Sequence, residues 1–178
     1  MIRTNRPIPA ERIRLLIFDL DGTLVDSRLD LANSVNATLR HFQRSELPCD
    51  VIASYIGDGA PMLVRLALGD PDDASLVEEA LAYFLAYYRE HKLDHTKVYE
   101  GVKDALTAIR FSRNGAGGAL ERTFAVLSNK PVHPSRAILQ ALGLAEFFVQ
   151  VYGGKSFPTK KPDPQGARTL LEETGVAP

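Results

Sequence analysis

Only one cysteine, Cys49, occurs in the 178 residues, so no internal disulfide can form and a reducing compartment suits the chain. An excess of either charge is also lacking. Twenty-one Lys and Arg against 22 Asp and Glu leave a formal net charge of −1, which gives no electrostatic case for nucleic acid or an acidic membrane surface. A small anionic substrate must then be drawn by a local site. No stretch approaches the ~20 apolar residues that span a bilayer. The segment from Met1 to Arg14 mixes Arg and Pro and holds no apolar run of signal-peptide length. Internal repeats and low-complexity tracts are absent as well. These absences lead to the expectation of a soluble cytoplasmic protein, monomeric or homodimeric. The composition that remains, 45% hydrophobic and 24% charged, is that of a globular domain or a core with a small insert.

Three short apolar runs read as strands buried on both faces, the mark of a parallel sheet. They are Ile13 to Phe18, stopped by Asp19-Leu20-Asp21-Gly22; Phe124 to Leu127, ending at Ser128-Asn129; and Phe147 to Tyr152, ending at Gly153-Gly154. Helical spacing precedes the second run, with Val102, Ala105, Leu106 and Ile109 on one face. It separates the second from the third, from His133 to a C-terminal Gly143. Alternating strands and helices predict a doubly wound α/β core.

Between the first run and the rest, only helical periodicity appears. Leu31, Val35, Leu39 and Phe42 share one side of a helix opened by Asp26-Ser27. Met62 to Leu68 forms a second segment after Gly57-Asp58-Gly59. Leu76, Ala80, Tyr83, Phe84 and Tyr87 mark a third, whose aromatic cluster is expected to be the core of the helical part rather than a ligand face. The predicted organisation is a core of residues 1–25 and 98–178 with an all-helical insert at 26–97. The Gly-rich stretch Asn114-Gly115-Ala116-Gly117-Gly118 leads from a helix into a strand, at the wrong edge for a ligand site, and reads as a surface connection.

Ligands of open parallel sheets bind at the carboxyl ends of strands, and three polar groups stand there. Asp19 and Asp21 crowd two like charges behind the first strand, reasonable where a divalent cation holds one carboxylate and the other moves protons. Ser128-Asn129 offers a hydroxyl and backbone N–H groups to phosphate oxygens. Lys160-Lys161-Pro162, before a helix from Gln165 to Glu173, can neutralise an incoming phosphate and Asp19 together. Alone, each is compatible with an ordinary solvated turn. In order at successive strand exits, they form one site.

Asp19-x-Asp21-Gly22-Thr23-Leu24, then Ser128, then Lys161-Pro162 resemble the first three motifs of the haloacid-dehalogenase superfamily. That resemblance implies a Rossmann-like core with a helical cap and a magnesium-dependent phosphatase. Asp19 would be the nucleophile that forms an aspartyl-phosphate, and Asp21 the general acid and base. Lys161 would offset charge, and Thr23, Ser128 and Asn129 would hold the phosphoryl group. The metal would lie between Asp19 and the Asp21 backbone carbonyl. Softer likenesses, among them Asp26-Ser27 with Asp30, Ile56 to Ala60, Tyr99 to Val102 and Ser128-Asn129-Lys130-Pro131, are similar to members acting on 2-phosphoglycolate. On that likeness Gly57, Asp58, Gly59 and Arg65 would face the substrate, with Arg65 either meeting a carboxylate or lying on the helix surface.

The expected partner is therefore a small phosphate ester. Other superfamily chemistry (another phosphatase, a pyrophosphatase, a sugar-phosphate mutase) stays open beside it, as does a non-catalytic binding module. The superfamily's fourth motif, a Gly-Asp pair followed by a further Asp, is not found before Pro178. The expectation drawn from this is an incomplete metal site, with Leu15 to Phe18 on a sheet edge.

Overall fold

Apolar residues at two spacings divide the chain between sheet and helix. The computed structural model describes residues 10–112 and 118–177, so the Gly-rich stretch lies, but for Gly118, outside the described residues. After a short 3-10 turn the chain forms β1 (Leu15–Phe18), β2 (Val25–Asp26), α1 (Arg28–His41), α2 (Cys49–Ser54), α3 (Ala60–Ala67) and α4 (Ala74–His91). It continues through β3 (Lys97–Val98), α5 (Val102–Arg110), β4 (Thr123–Pro131), α6 (Val132–Ala141), β5 (Gln150–Gly154) and α7 (Gln165–Thr174). No helix among the described residues is long and apolar enough to cross a membrane.

The main sheet is parallel in the order β1-β4-β5, as expected of strands joined by helices. The first strand takes the edge place expected where the fourth motif is missing. It lies at the edge of the described sheet and Ile17 is 38% exposed, whereas Phe124, Ala125 and Val126 of β4 are buried. A continuous apolar run cannot tell the two places apart, because both carry Val, Ile and Leu. The third strand starts later than its apolar run. Phe147 and Phe148 donate to the Leu144 and Ala145 carbonyls in a 3-10 turn, and pairing begins at Gln150. Their rings pack into the core from that turn, which is why the run looked strand-like.

Two hydrophobic clusters result. One joins Leu20, Leu24 and Val25 with Leu106, Phe124, Val126, Ile138, Leu139, Leu144 and Phe148 around the sheet. The other joins Leu31, Val35, Leu39, Ile52, Leu63, Val64, Ala80, Phe84 and Tyr88 across α1 to α4. Each large buried side chain contributes roughly 1.5–3 kcal/mol. The aromatic cluster of α4 splits between two roles. Phe84 and Tyr88 are buried, while Tyr83 and Tyr87 stack at the surface on His41 and His91, with ring centroids 4.1 Å apart in each pair.

The chain passes between the two clusters at β2 and β3, which pair antiparallel, Val25 with Val98 and Asp26 with Lys97. Asp30, in the first turn of α1, locks this crossing. Its buried carboxylate accepts hydrogen bonds from the backbone and ring of His95 and from the backbone and hydroxyl of Thr96, at 2.7–3.0 Å. Burial alone would raise this carboxyl, but the Thr96 and His95 bonds outweigh it and hold the group below its ordinary range.

Candidate active site

Strand geometry aims the first pair of carboxylates. Leu20 and Leu24 are buried, and the Leu20 carbonyl accepts from the Leu24 and Val25 amides, so the loop after β1 is pinned by its apolar residues. Gly22 takes φ +77°, a left-handed turn that L-residues adopt only at a cost, and it sends the Gly22 N–H to the Val25 carbonyl. Asp19 and Asp21 thereby line a cleft of about 50 Å³.

Asp19 accepts from its neighbour Leu20 N–H at 2.8 Å, and its other oxygen meets Lys161 Nζ at 2.9 Å. Both side chains of this pair are partly exposed, so it adds little stability. Its consequence is local: a carboxylate held with a cation beside it. Asp163, two residues on from Lys161, accepts from Gln165 N–H at the start of α7.

Asp21 is held from two sides. Ser27 donates to Oδ1 at 2.5 Å, and Lys130 Nζ reaches Oδ1 and Oδ2 at 3.0 and 3.1 Å. The hydroxyl of Ser27 thus goes to Asp21 and not to an N-cap bond, although Ser27 does occupy the N-cap of α1. Lys130 is buried, with its ammonium 4.6 Å from the centroid of the Tyr88 ring of α4. Burial would depress the Lys130 ammonium, yet the Asp21 charge prevails and the group stays above its ordinary range. Tyr88 is pushed up by burial, and its hydroxyl has no hydrogen bond of ordinary geometry among the described residues.

From sequence, Lys130 enters only within the Ser128 to Pro131 likeness and is assigned no role. The apolar run ended the second strand at Leu127, whereas β4 continues, with a register shift, to Pro131. Ser128 and Asn129 are therefore strand residues and not an exit turn. Alternation continues along the extension: Ser128 and Lys130 are buried and line the cleft, while Asn129 turns to the other side. There the Asn129 amide binds the Gly57 carbonyl at 2.9 Å and the Lys161 carbonyl at 3.2 Å, and its oxygen accepts from Lys161 N–H at 2.9 Å. The side chain is engaged as a tie between two loops, so only its backbone is left to meet a phosphate.

Gly57 and Gly59 do reach the cleft, at left-handed φ of +142° and +87°. A Cβ on Gly59 would lie 3.0 Å from the Asn129 carbonyl, so glycine is what lets this turn seat on β4. Asp58 between them does not line the cleft; its carbonyl accepts from Lys160 Nζ at 2.9 Å. Thr23 is exposed and stands outside the cleft lining. Arg65 is also elsewhere: it pairs with Asp70 beyond the end of α3 and does not line the cleft. The helical residues that do line it are apolar, among them Leu31, Leu63, Phe84 and Leu85.

Among the described residues no three His, Cys, Asp or Glu side chains are placed to hold a metal. The site is instead two carboxylates, each matched to one lysine, at the floor of an apolar cleft.

Comparison with known proteins agrees with this arrangement. Residues 16–178 match the family described as haloacid dehalogenase-like hydrolase. A phosphoglycolate phosphatase of Chromobacterium violaceum is 36% identical over 172 residues, covering 94% of this chain and 74% of that protein. One of Pseudomonas putida is 38% identical over 177 residues, covering 96% and 61%. The crystal structure of a predicted phosphoglycolate phosphatase from Haemophilus somnus superposes with a TM-score of 0.80 at 29% identity, covering 93% of this chain and 73% of that one. With the family model spanning the sheet, the cleft and both carboxylates, the chain belongs to the haloacid dehalogenase-like hydrolases.

Proposed function

We propose that the protein hydrolyses a small phosphate monoester, 2-phosphoglycolate first among candidates, in the cytoplasm. The observation that carries the reading is the pairing of Asp19 with Lys161 beside Asp21 with Lys130, at the carboxyl end of β1. Such pairing leaves one carboxylate beside a cation that also attracts phosphate, with a second carboxylate close by to exchange protons. The named relatives supply the substrate.

An Asp19 oxygen attacks phosphorus, forming an O–P bond as the ester P–O bond breaks. The departing alkoxide takes a proton from Asp21, so one hard displacement becomes two easier ones. Water then attacks the same phosphorus and gives its proton back to Asp21. The Asp19–phosphorus bond breaks, and inorganic phosphate and free Asp19 are restored. Ser128 holds phosphoryl oxygens through its hydroxyl, and the Asn129 backbone assists. Lys161 offsets the charge that accumulates beside Asp19.

Magnesium fits this donor set. Asp19 and the Asp21 backbone carbonyl are hard oxygen ligands, and the ion is ordinarily bound through one or two carboxylates plus substrate phosphate and water. Bound there, it would supply charge stabilisation to the transferring phosphoryl group. The Asp21 carboxylate itself is engaged with Lys130 and Ser27, so Asp21 would serve the ion through its backbone carbonyl.

The helical residues 26–97 are proposed as the cap that selects the alcohol portion, because the floor of the cleft offers only phosphate chemistry. The test is phosphate release from 2-phosphoglycolate, a sugar phosphate and pyrophosphate, each with and without magnesium. A preference of tenfold or more for 2-phosphoglycolate, about 1.4 kcal/mol, is expected. Preference for another ester would keep the chemistry and replace the substrate; no release from any would overturn both.

A further inference from the structure

The chemistry above gives no reason for a lysine buried next to Asp21. We propose that Lys130 is a positioning residue: clamped between Asp21 and the Tyr88 ring, it fixes the Asp21 carboxyl in the orientation from which it exchanges protons with the reacting oxygens. This rests on the acid–base reading of Asp21.

Three observations support it. First, Lys130 is buried near the end of β4, in the irregular stretch bounded by Leu127 and Pro131, both paired to β5, so its backbone is held from both ends. Second, its ammonium spans both Asp21 oxygens while Ser27 holds only Oδ1. Without Lys130 a single hydroxyl would remain, and the carboxyl could rotate about its own bond. Third, the ammonium also lies over the Tyr88 ring, 4.6 Å from its centroid, a contact that favours the cation and gives it a second partner besides Asp21. Stability does not explain the choice, since a buried ion pair is commonly no better than well-packed apolar side chains of like volume. Direct phosphate binding does not explain it either, because Lys161 already provides the cation beside Asp19.

The test compares Lys130→Met, Asp21→Asn and the double variant, with magnesium supplied, on two substrates. 2-Phosphoglycolate has a poor alkoxide leaving group that needs a proton. p-Nitrophenyl phosphate has one that leaves without it. The kcat/KM value extends only through transfer of phosphoryl to Asp19, so it isolates leaving-group protonation from the later hydrolysis. Lys130→Met is expected to lower kcat/KM for the alkyl ester about tenfold more than for the aryl ester, less than the ~10²–10⁴ of losing general acid catalysis outright, since Asp21 itself is kept. In the double variant it should add less than about threefold to the Asp21→Asn loss, since the two act as a unit.

Equal losses on both substrates, or independent multiplication in the double variant, would overturn the proposal and leave Lys130 a structural residue. If Asp21→Asn itself shows no selectivity, or the unaltered chain releases no phosphate from either ester, the acid–base reading falls and takes this one with it. Should Lys130→Met fail to melt cooperatively, Tyr88→Leu decides, because it removes the ring and keeps both charges. A smaller loss with the same selectivity supports the clamp; no selectivity overturns it.

Discussion

The sheet half and the helical half meet at one cleft and bring opposite chemistry to it. From the sheet come Asp19, Asp21, Ser128 and Lys130; from α1, α3 and α4 come Leu31, Leu63, Phe84, Leu85 and the Tyr88 ring, with Gly57 and Gly59 from the turn before α3. The helical half is not poor in charge. It uses its charges on itself, as Arg40 with Glu46, Arg65 with Asp70, and Asp30 with His95 and Thr96. Reactive groups thus stand at the carboxyl ends of the sheet strands, and the apolar half presents shape alone. Transition-state contacts tolerate little misplacement, whereas shape selection can be repacked.

The strongest way to break this contrast is Asp19→Asn. Phosphate release should fall at least about a thousandfold, roughly 4 kcal/mol of barrier. Melting should change little, because the lost Lys161 pair is partly exposed. Residual activity within tenfold would remove Asp19 as nucleophile. Next, Gly59→Ala attacks the seam between the halves, where a new Cβ would press on the Asn129 carbonyl at a strained φ. A cost of about 1–3 kcal/mol is expected, read as a drop in melting temperature with the substrate preference loosened.

Asp30→Asn tests the crossing. At neutral pH it should cost ~1–3 kcal/mol, the scale of charged hydrogen bonds. The Asp30 carboxyl is depressed in the folded chain, so its contribution is complete above the ordinary value of 3.8 and vanishes as pH falls through the folded value. The melting gap between the variant and the parent should therefore narrow below about pH 4; a gap that widens there would reverse the sign. The smallest effect is assigned to Arg65→Ala, within about 0.5 kcal/mol on stability and twofold on kcat/KM, since Arg65 faces Asp70 and not the cleft. A selective loss on 2-phosphoglycolate would show that Arg65 reaches the substrate.

Much of this was legible where a pattern has one physical cause. Helical spacing placed Leu31, Val35, Leu39, Ala80 and Phe84 correctly, because a helix buries whatever lies on its apolar side. Asp19, Asp21 and Lys161 were legible for another reason: polar residues after buried strands converge at one edge of a parallel sheet. The misses have equally specific causes. The late start of β5 is one: Phe147 and Phe148 pack into the core from a 3-10 turn, which an apolar run does not distinguish from a strand. Of the two places open to Arg65, it takes the helix surface: a helix rotates ~100° per residue, and its salt bridge to Asp70 lies around the turn. Lys130 was readable in principle. Had the period of two in Phe124 to Leu127 been carried forward, Ser128 and Lys130 would have fallen on one side and Asn129 on the other.

The two-residue ribbon of β2 and β3 carries a consequence for how such a chain can be rebuilt. Because Val25 and Val98 sit opposite one another, the chain leaves and re-enters within one strand spacing, about 5 Å. Everything from α1 to α4 is attached like a cartridge whose two leads emerge side by side. A tight two-residue turn joining Asp26 to Lys97 could close the gap, and a different set of helices could be spliced into the same socket without altering the path of β1, β4 or β5. Asp30, which fastens one lead to the other, would have to travel with the cartridge.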